Sequence, residues 1–473
     1  FEKKYESKIN SLNGKSILSA IEEFEIIDER MSKILSFAHL LYAENIEDEK
    51  NKIFFQQIQE KITKFSSSLI FFTLELNSIE KDQINKLFNT KGLKKFKTWI
   101  EIVRAYKPYQ LNKKLEKLMK DKSVTSSAAW IRLFDQTIAS LRFPYKKKQL
   151  SSAEILNYFT DKNSSKRKEA AKSVGKVLKS NANIFSTITN TLAKDKAVND
   201  EWRGYPNPVR SRNLANVVED EVVEALSKAI TSSYSKLSHR YYKMKAKWFG
   251  KKSLKYWDRN APLPFQNNRF YNWKEATSIV LEAFNNFNSD MGKVAQMFFD
   301  ERWIHAPVIK GKSPGAFSAS TVPSVHPYIL LNYQGRTRDV STLAHELGHG
   351  IHQFLAGRKQ SYLNCSTPLT VAETASVFGE MLTFKLLLKK QKTLREKKAL
   401  LANKVEDMLN TVVRQIAFFE FEKEIHTKRL KSELTVEEIC QVWLDVQNKS
   451  LGPAIEFEEE YKYYWMYIPH FIH

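Results

Sequence analysis

The stretch DVSTLAHELGHGIHQFLAGR, residues 339–358, carries three histidines and a glutamate on a segment that is otherwise typical of a helix. Its apolar residues recur every three or four positions, at Leu343, Leu347, Ile351 and Phe354. This spacing predicts an amphipathic helix with one apolar stripe, and Asp339 is expected to cap its first turn. The titratable residues are not needed for that packing and require a separate explanation.

Two of the histidines, His345 and His349, are four residues apart, which places both imidazoles on one face of the helix. This spacing suits a tetrahedral zinc ion that takes two nitrogen ligands from one rigid element. Glu346 follows the first histidine directly and points slightly around the helix, where a carboxylate can serve as general base without ligating the metal. The pattern His-Glu-x-x-His alone also occurs by chance on solvated helices, so a third ligand has to decide between the two interpretations.

The best candidate for a third ligand is Glu373, in the segment STPLTVAETASVFGEMLTFKLLL, residues 366–388. A catalytic zinc site takes three protein ligands and leaves one position for water. An alternative interpretation is a capping box, in which Thr370 and Glu373 only close the start of a helix. If Thr367 caps a helix that begins at Pro368, Glu373 lies nearly two turns in and can face a metal.

Three more residues of these two segments fit the same arrangement. Glu380, on the same predicted face as Glu373, is expected to accept the outer N–H of a ligand histidine. Gly348 and Gly350 each cost a helix about 1 kcal/mol relative to alanine. We interpret these glycines as positions at which a neighbouring backbone or a substrate comes close.

The rest of the chain predicts a mostly helical protein that contains a small sheet. Proline is rare in the first 200 residues, where only Pro108 and Pro144 occur, and long helices tolerate proline poorly. Residues 306–335 are instead rich in proline, glycine and serine, with strand-like runs at 315–318 and 328–333. This pattern predicts a small sheet or hairpin directly before the histidine-bearing helix.

Length and composition limit the class of protein. A chain of 473 residues suggests two to four domains or one large compact body. The formal net charge of +22 comes from scattered, lysine-dominated clusters interleaved with glutamate, which favours a solvated surface over a nucleic-acid site. The only cysteines, Cys365 and Cys440, cannot form a disulfide framework and fit a reducing compartment. No apolar run approaches the length of a membrane span.

Two joined segments resemble a known family. GAFSASTVPSVHPYILLNYQGRTRDVSTLAHELGHGIHQFLAG, followed by TPLTVAETASVFGEMLTF, closely resembles oligoendopeptidase F of the thimet-oligopeptidase-type zinc metallopeptidases. The segments DKSVTSSAAWIRLFDQTIASLRF and WDRNAPLP agree with that family, and the likeness runs through essentially the whole chain. It implies a mostly helical, bowl- or clamshell-shaped fold with one zinc ion at the bottom of a deep channel. Such a channel admits short unstructured peptides and excludes folded proteins.

The resemblance also implies roles for individual residues. His345, His349 and Glu373 match the family's zinc ligands, and Glu346 matches its general base. Gly315 and Ala316 match the strand edge that pairs with the substrate backbone. His470, in IPHF, matches a histidine that helps to bind substrate near the scissile bond.

The ends of the chain depart from the family pattern. The tyrosines that donate hydrogen bonds to the tetrahedral oxyanion follow the IPHF histidine in the family, and the sequence stops at His473 before reaching them. We therefore expect this piece alone to be weakly active or inactive unless the missing portion accompanies it, since losing an oxyanion donor costs on the order of 10²–10³ in rate. The expected organisation is an N-terminal helical segment over 1–75, an oligoendopeptidase F-type helical domain over 76–160, and a catalytic domain over 161–473.

The expected function is zinc-dependent hydrolysis of internal bonds in short peptides, in the cytoplasm, with neither nucleic acid nor membrane as a partner. Two alternatives stay open. A helical zinc carboxypeptidase or dipeptidyl carboxypeptidase shares the metal motif and differs in where it cuts. A basic, non-catalytic binding protein for RNA or acidic partners would use the lysine clusters instead.

Overall fold

The computed structural model describes residues 1–265 and 269–473, and these form two compact units. The first unit comprises Phe1–Lys122, Leu214–Val217 and residues 269–391. The second comprises Ser123–Asn213, residues 218–265 and Lys392–His473. The chain thus passes between the units several times, and each unit is built from stretches that are distant in sequence.

Helices dominate both units, as the sequence predicts. In chain order they are α1 (Glu2–Tyr5), α2 (Gly14–Glu44), α3 (Glu49–Ser78), α4 (Lys81–Leu87), α5 (Lys97–Ala105), α6 (Lys113–Lys122), α7 (Ser127–Ser140), α8 (Ser152–Asn157), α9 (Ser164–Ser180) and α10 (Ala182–Arg203). They continue with α11 (Arg210–Ala215), α12 (Asp220–Ser233), α13 (Arg240–Trp248), α14 (Trp273–Phe287), α15 (Ser289–Asp300), α16 (Thr337–Lys359), α17 (Tyr362–Cys365), α18 (Leu369–Lys390), α19 (Leu394–Arg429) and α20 (Val436–Leu451). The mostly helical fold class is confirmed.

Side-chain caps fix the starts of several long helices. The side chain of Asn13 accepts from the Ser16 N–H before α2, and Asp48 accepts from two N–H groups at the start of α3. Thr393 before α19 and Thr435 before α20 each form a capping box with a glutamate three residues later. Such caps satisfy N–H groups that have no partner inside the helix.

The strands of the described residues are short and form three separate sheets. They are β1 (Phe143–Tyr145), β2 (Lys148–Leu150), β3 (Leu254–Lys255), β4 (Ile304–His305), β5 (Phe317–Ala319), β6 (Tyr328–Leu330) and β7 (Ile455–Glu456). In the second unit, β1 and β2 form an antiparallel hairpin, and β3 pairs with β7 in parallel. In the first unit the order is β4–β6–β5, with β4 parallel and β5 antiparallel to β6.

The sheet β4–β6–β5 is the one expected before the histidine-bearing helix, with two differences. Its strands are shorter than the predicted runs 315–318 and 328–333, and β4 adds a third strand that the sequence pattern does not predict. The register places Ser318 opposite Ile329, and β5 lies at an edge of the sheet. Helix α16 follows β6 directly along the chain.

Each unit has its own hydrophobic core. In the first unit, α2, α3 and α5 bury an aromatic cluster that includes Phe24, Phe72 and Phe96. In the second, α9, α10, α19 and α20 bury Phe185, Phe421, Trp443 and their neighbours. Among the described residues, no helix is both long enough and apolar enough to cross a membrane.

Glycines allow α16 and α18 to pack backbone against backbone. A Cβ atom on Gly348 would lie 2.5 Å from the Ala375 carbonyl oxygen, and one on Gly379 would lie 2.9 Å from the Ala344 carbonyl oxygen. The interpretation of Gly348 as a site of close backbone approach is therefore confirmed. Gly350 differs, because its nearest neighbour is the ring of Phe298, 2.7 Å from a Cβ built there, and not a backbone.

Replacing Gly348 by alanine is expected to push α16 and α18 apart. Overpacking of this kind destabilises a protein by about 1–3 kcal/mol, which chemical denaturation measures directly. Gly357→Ala is the matched control on the same helix, because a Cβ there would meet Pro323 at an ordinary 3.5 Å. That variant should be neutral or up to about 1 kcal/mol more stable, since alanine is the better helix former. Equal effects of the two substitutions would contradict the close packing.

Candidate metal centre

The start of α16 differs by a few residues from the sequence prediction. The helix begins at Thr337, so Asp339 lies inside its first turn and is not the residue before it. The Asp339 carboxylate still closes the helix start, because Oδ2 accepts from the N–H groups of Gln334 and Arg336 at 3.0 and 2.9 Å. Asp339 therefore caps the helix as predicted, from the third helical position, where its carboxylate forms part of a capping box with Arg336.

The two histidines of the motif face the same side of α16. The rings of His345 and His349 are 5.0 Å apart between centroids and nearly perpendicular, at 81°. Both side chains are half-buried, with 27% and 15% of their surfaces exposed. The apolar stripe predicted for the helix is buried on another face, at Leu343, Leu347, Ile351 and Phe354.

Helix α18 brings a carboxylate to this pair. Oε2 of Glu373 lies 3.3 Å from Nε2 of His345 and 3.3 Å from Nε2 of His349. Ser376, one turn later on α18, donates a hydrogen bond of 2.7 Å to the same oxygen. The close contact of α16 with α18 at Gly348 is what brings the carboxylate within reach of both imidazoles.

The capping alternative for Glu373 is not what the structure shows. Helix α18 begins at Leu369 with Pro368 at the N-cap position, one residue later than the start proposed from Thr367. Thr370 therefore lies in the first turn, and its hydroxyl donates to the carbonyl oxygen of Asn216. Glu373 faces the histidines, not its own helix start.

The donor set fits a zinc ion. One donor atom from each of His345, His349 and Glu373 lies within 4.8 Å of the other two. Two imidazole nitrogens and one carboxylate oxygen are a known ligand set of catalytic zinc, which keeps a fourth position for water. The Glu373 side chain is 61% exposed, so the cluster is open to solvent on one side.

Two further glutamates flank the cluster. Oε2 of Glu380 lies 3.5 Å from Nδ1 of His345, on the side of the ring away from Glu373. Glu346 is buried beside the histidines, and burial raises the pKa of its carboxyl, while the positive potential of His345 and His349 opposes this shift. Among the described residues, no hydrogen-bond partner of the Glu346 carboxylate is found.

Hydrogen bonding couples the protons of the cluster when no metal is present. Hydrogen bonds from His345 and His349 hold the pKa of Glu373 well below its usual range. Burial lowers the pKa of His345, but its hydrogen bonds with Glu373 and Glu380 outweigh this and raise the pKa to about 9. A cation that binds here has to displace such protons, which is the normal behaviour of histidine sites.

The residues predicted to hold substrate lie on the loop before β5. Gly315 has φ of +81°, a left-handed conformation that favours glycine, and Ala316 leads into the strand. The side chain of Asn332 donates to the carbonyl oxygens of Ser313 and Gly315 at 2.9 and 3.0 Å. These hydrogen bonds set the conformation of the loop at the edge of the sheet.

A buried lysine, Lys312, lies just before Gly315 and hydrogen-bonds to neighbouring carbonyl oxygens. Lys312 is 7% exposed, and its Nζ donates to the carbonyl oxygens of His305, Pro307 and Leu331. Burial lowers its pKa to about 8, against a smaller opposing effect of Glu44. The sequence analysis missed Lys312, Asn332 and Ser376; only Ser376 had a recognisable signal, three residues after Glu373 on the same helix.

His470 lies in the second unit, on a short 3-10 turn, Pro469–Phe471. Its ring centroid is 5.8 Å from that of Phe418. Burial lowers its pKa, and the positive charge of Arg414 adds to this effect. Its predicted role in binding substrate stays a prediction.

Comparison with known proteins places the chain in a family. The model of peptidase family M3 matches residues 157–473, and the model described as oligopeptidase F matches residues 75–143. The chain belongs to peptidase family M3. Oligopeptidase PepF of Bacillus subtilis (strain 168) is 25% identical over 480 residues, which cover 99% of this chain and 71% of that protein. The plasmid-encoded oligoendopeptidase F of Lactococcus lactis subsp. cremoris is 27% identical over 473 residues, covering 97% and 77%.

Solved structures show the same M3 fold. The crystal structure of oligoendopeptidase-F from Enterococcus faecium superimposes with a TM-score of 0.75 at 21% identity, covering 100% of this chain and 80% of that one. The resemblance to oligoendopeptidase F is confirmed, and the M3 chain is a metalloendopeptidase that acts on peptide bonds. The prediction of an enzyme is thereby confirmed, against the alternative of a basic, non-catalytic binding protein.

Proposed function

We propose that this M3 peptidase is a zinc-dependent oligoendopeptidase that hydrolyses internal bonds of short, unstructured peptides. His345, His349 and Glu373 would hold one zinc ion, and Glu346 would act as general base and general acid. The observation that carries the proposal is the position of the Glu373 carboxylate, 3.3 Å from the outer nitrogen of each histidine. The printed names of the relatives, oligopeptidase and oligoendopeptidase F, support a peptide substrate.

Zinc bound to these three residues would polarise the scissile carbonyl and lower the pKa of a coordinated water to about 7. The chain's own part of the reaction is proton transfer. Glu346 takes the proton of the attacking water on its carboxylate and passes it to the leaving amine. Its burial and its lack of a hydrogen-bond partner among the described residues leave the carboxylate available for this transfer.

Two residues would position the metal ligands, and a third would contact the substrate. Glu380, whose Oε2 lies 3.5 Å from Nδ1 of His345, would accept the proton of that nitrogen and so fix the tautomer that presents Nε2 to the metal. Ser376 donates to Glu373 and holds its carboxylate toward the histidines. His470 would contact substrate near the scissile bond, as the family resemblance implies.

The edge of β5 would pair with the backbone of the substrate, beginning at Gly315 and Ala316. An extended peptide that adds to a sheet edge is held mainly by main-chain hydrogen bonds, which suits a peptidase with many substrates. Gln353 of α16 already ties β5 to the metal-bearing helix, through Ser318. Substrate held on β5 is therefore held in register with α16.

Asn332→Asp tests this substrate-binding role. The change keeps the shape of the side chain but removes the N–H donors to Ser313 and Gly315. Two lost hydrogen bonds correspond to about 1–3 kcal/mol, so we expect KM to rise roughly tenfold or more with little change in kcat. Asn288→Asp is the matched control, because Asn288 accepts through its oxygen, which aspartate retains. An unchanged KM would argue against pairing of substrate at this edge.

The decisive experiment is digestion of a mixed peptide library with and without a chelator, with the fragments read by mass spectrometry. Internal cuts that the chelator abolishes, and that added zinc restores, are expected. Stepwise loss from the C-terminus would favour the alternative of a carboxypeptidase or dipeptidyl carboxypeptidase. Chelator-resistant cleavage would contradict the metal centre.

The domain boundaries and the location also stay proposals. The segments 1–75, 76–160 and 161–473 are consecutive, whereas the compact units are discontinuous and so do not test them. A cytoplasmic location is proposed from the two unpaired cysteines, Cys365 and Cys440. Fractionation of cells that express the protein would test the location.

A further inference from the structure

The second unit contains a cavity whose lining includes two arginines. Its volume is about 130 Å³, and Arg259, Arg414 and His470 line it together with Asn260 and a wall of aromatic side chains. The described residues that line it include no aspartate and no glutamate. Because aromatic walls lower the local dielectric, charges inside such a cavity interact more strongly than at an open surface.

Arg259 differs from the other shielded cations of this unit. Arg167 donates to Asp258 through two nitrogens, at 2.5 and 3.1 Å, and Nζ of Lys245 lies 2.6 Å from Glu406. Arg259 is partly buried, yet its guanidinium makes only a 3.4 Å contact from Nε to the side-chain oxygen of its neighbour Asn260. Among the described residues, no carboxylate lies at ion-pair distance from it; Glu406, which pairs with Lys245, attracts its charge only from beyond that distance.

A guanidinium shielded from water without a carboxylate partner is unfavourable, and proteins usually pair such a charge or bind an anion with it. The nearby tyrosines do not compensate, because burial holds the pKa of Tyr461 and Tyr464 well above the usual range and keeps both hydroxyls neutral. Those hydroxyls are also engaged elsewhere, with Gln447 and with the carbonyl oxygen of Ala171.

We propose that this cavity is a binding site for a carboxylate group, held by the guanidinium of Arg259. The planar fork of arginine matches the two oxygens of a carboxylate, and the aromatic walls accept the carbon atoms attached to it. Arg414, whose guanidinium lies 5.2 Å from the ring of Phe418, also lines the cavity. All the lining residues belong to the second unit, and His470 among them is the residue proposed above to contact substrate.

The experiment is thermal unfolding of the full chain in sodium acetate and in sodium chloride at equal ionic strength. Acetate is expected to raise Tm in a saturable manner and chloride is not, since a ligand of the folded state alone stabilises it. The His349→Ala chain should show the same acetate shift, which separates this site from acetate bound to a metal. Equal shifts in the two salts would overturn the proposal.

Variants of Arg259 carry the test further. Arg259→Gln should weaken acetate binding at least tenfold, and Arg259→Lys should be intermediate, because lysine keeps the charge but loses the fork. Without acetate, Arg259→Gln should unfold at the same or a higher temperature, whereas Arg167→Gln, which breaks a buried ion pair, should unfold at a lower one. Full acetate protection in a folded Arg259→Gln chain would overturn the proposal.

N-acetylglycine and N-acetylglycinamide distinguish the source of the carboxylate. Protection by acetate and N-acetylglycine, but not by the amide, would assign the site to the C-terminal carboxylate of a peptide. Protection by acetate alone would assign it to a free small acid. Protection by the amide as well as by the acids would contradict recognition of a carboxylate.

Discussion

Replacing Glu346 by glutamine is expected to lower kcat by about 10²–10⁴-fold while the protein keeps its metal. Glutamine has nearly the same shape as glutamate but cannot accept the proton of the attacking water. The three proposed ligands, His345, His349 and Glu373, are untouched, so zinc content should stay near one ion per chain. On one preparation, peptide hydrolysis measures kcat and atomic emission measures the zinc content.

The control for this variant is Glu301→Gln, the same substitution at an exposed position of the first unit. It should change neither kcat nor zinc content. If Glu346→Gln kept near-normal turnover, the general base would have to be another group. If it lost zinc instead, Glu346 would belong to the ligand set.

Replacing His349 by alanine is expected to remove both metal and activity. Residues that only support a ligand already change metal affinity by about 10–100-fold, so loss of a ligand should exceed that range. The remaining pair, His345 and Glu373, cannot complete the three-ligand set of a catalytic zinc site. Zinc titration of the metal-free protein, followed by activity at saturating zinc, measures both effects.

His352→Ala is the matched control on the same helix, three residues further on. Its imidazole is not a member of the metal cluster, so zinc affinity and turnover should be retained. Retention of tight zinc binding by His349→Ala would contradict the assignment of the ligands, whatever the activity. A folded but metal-free His349→Ala chain is the expected result.

The candidate metal centre could be predicted from the sequence to an unusual extent, for a local reason. The spacing of His345 and His349 fixes their common face once the segment is a helix, because side chains four residues apart are neighbours. Glu373 could be proposed only as a candidate, since a capping box explained it equally well. Choosing between a metal ligand and a helix cap required the position at which α18 begins, which the sequence analysis placed one residue too early.

The supporting contacts could not be predicted in the same way. Lys312 is one of many lysines in the sequence, and only burial under three carbonyl oxygens distinguishes it. Arg259 lies in the segment WDRNAPLP, but that segment gives no sign of a ligand, and the described residues provide no carboxylate at ion-pair distance from its guanidinium. Such properties depend on which residues surround a side chain, and those residues are far away along the chain.

The sequence by itself determined the helical class, the small sheet before the histidine-bearing helix, and the pair of histidines on one helical face. These features follow from the spacing of apolar residues in helices and strands and from the low helix propensity of proline. Both effects act within a few residues of sequence. Only the tertiary structure decided that α18 crosses α16 at Gly348 and delivers Glu373 to both imidazoles. The physical reason is that two helices can approach so closely only where no Cβ intervenes, and which backbone fills that space is a property of the folded chain.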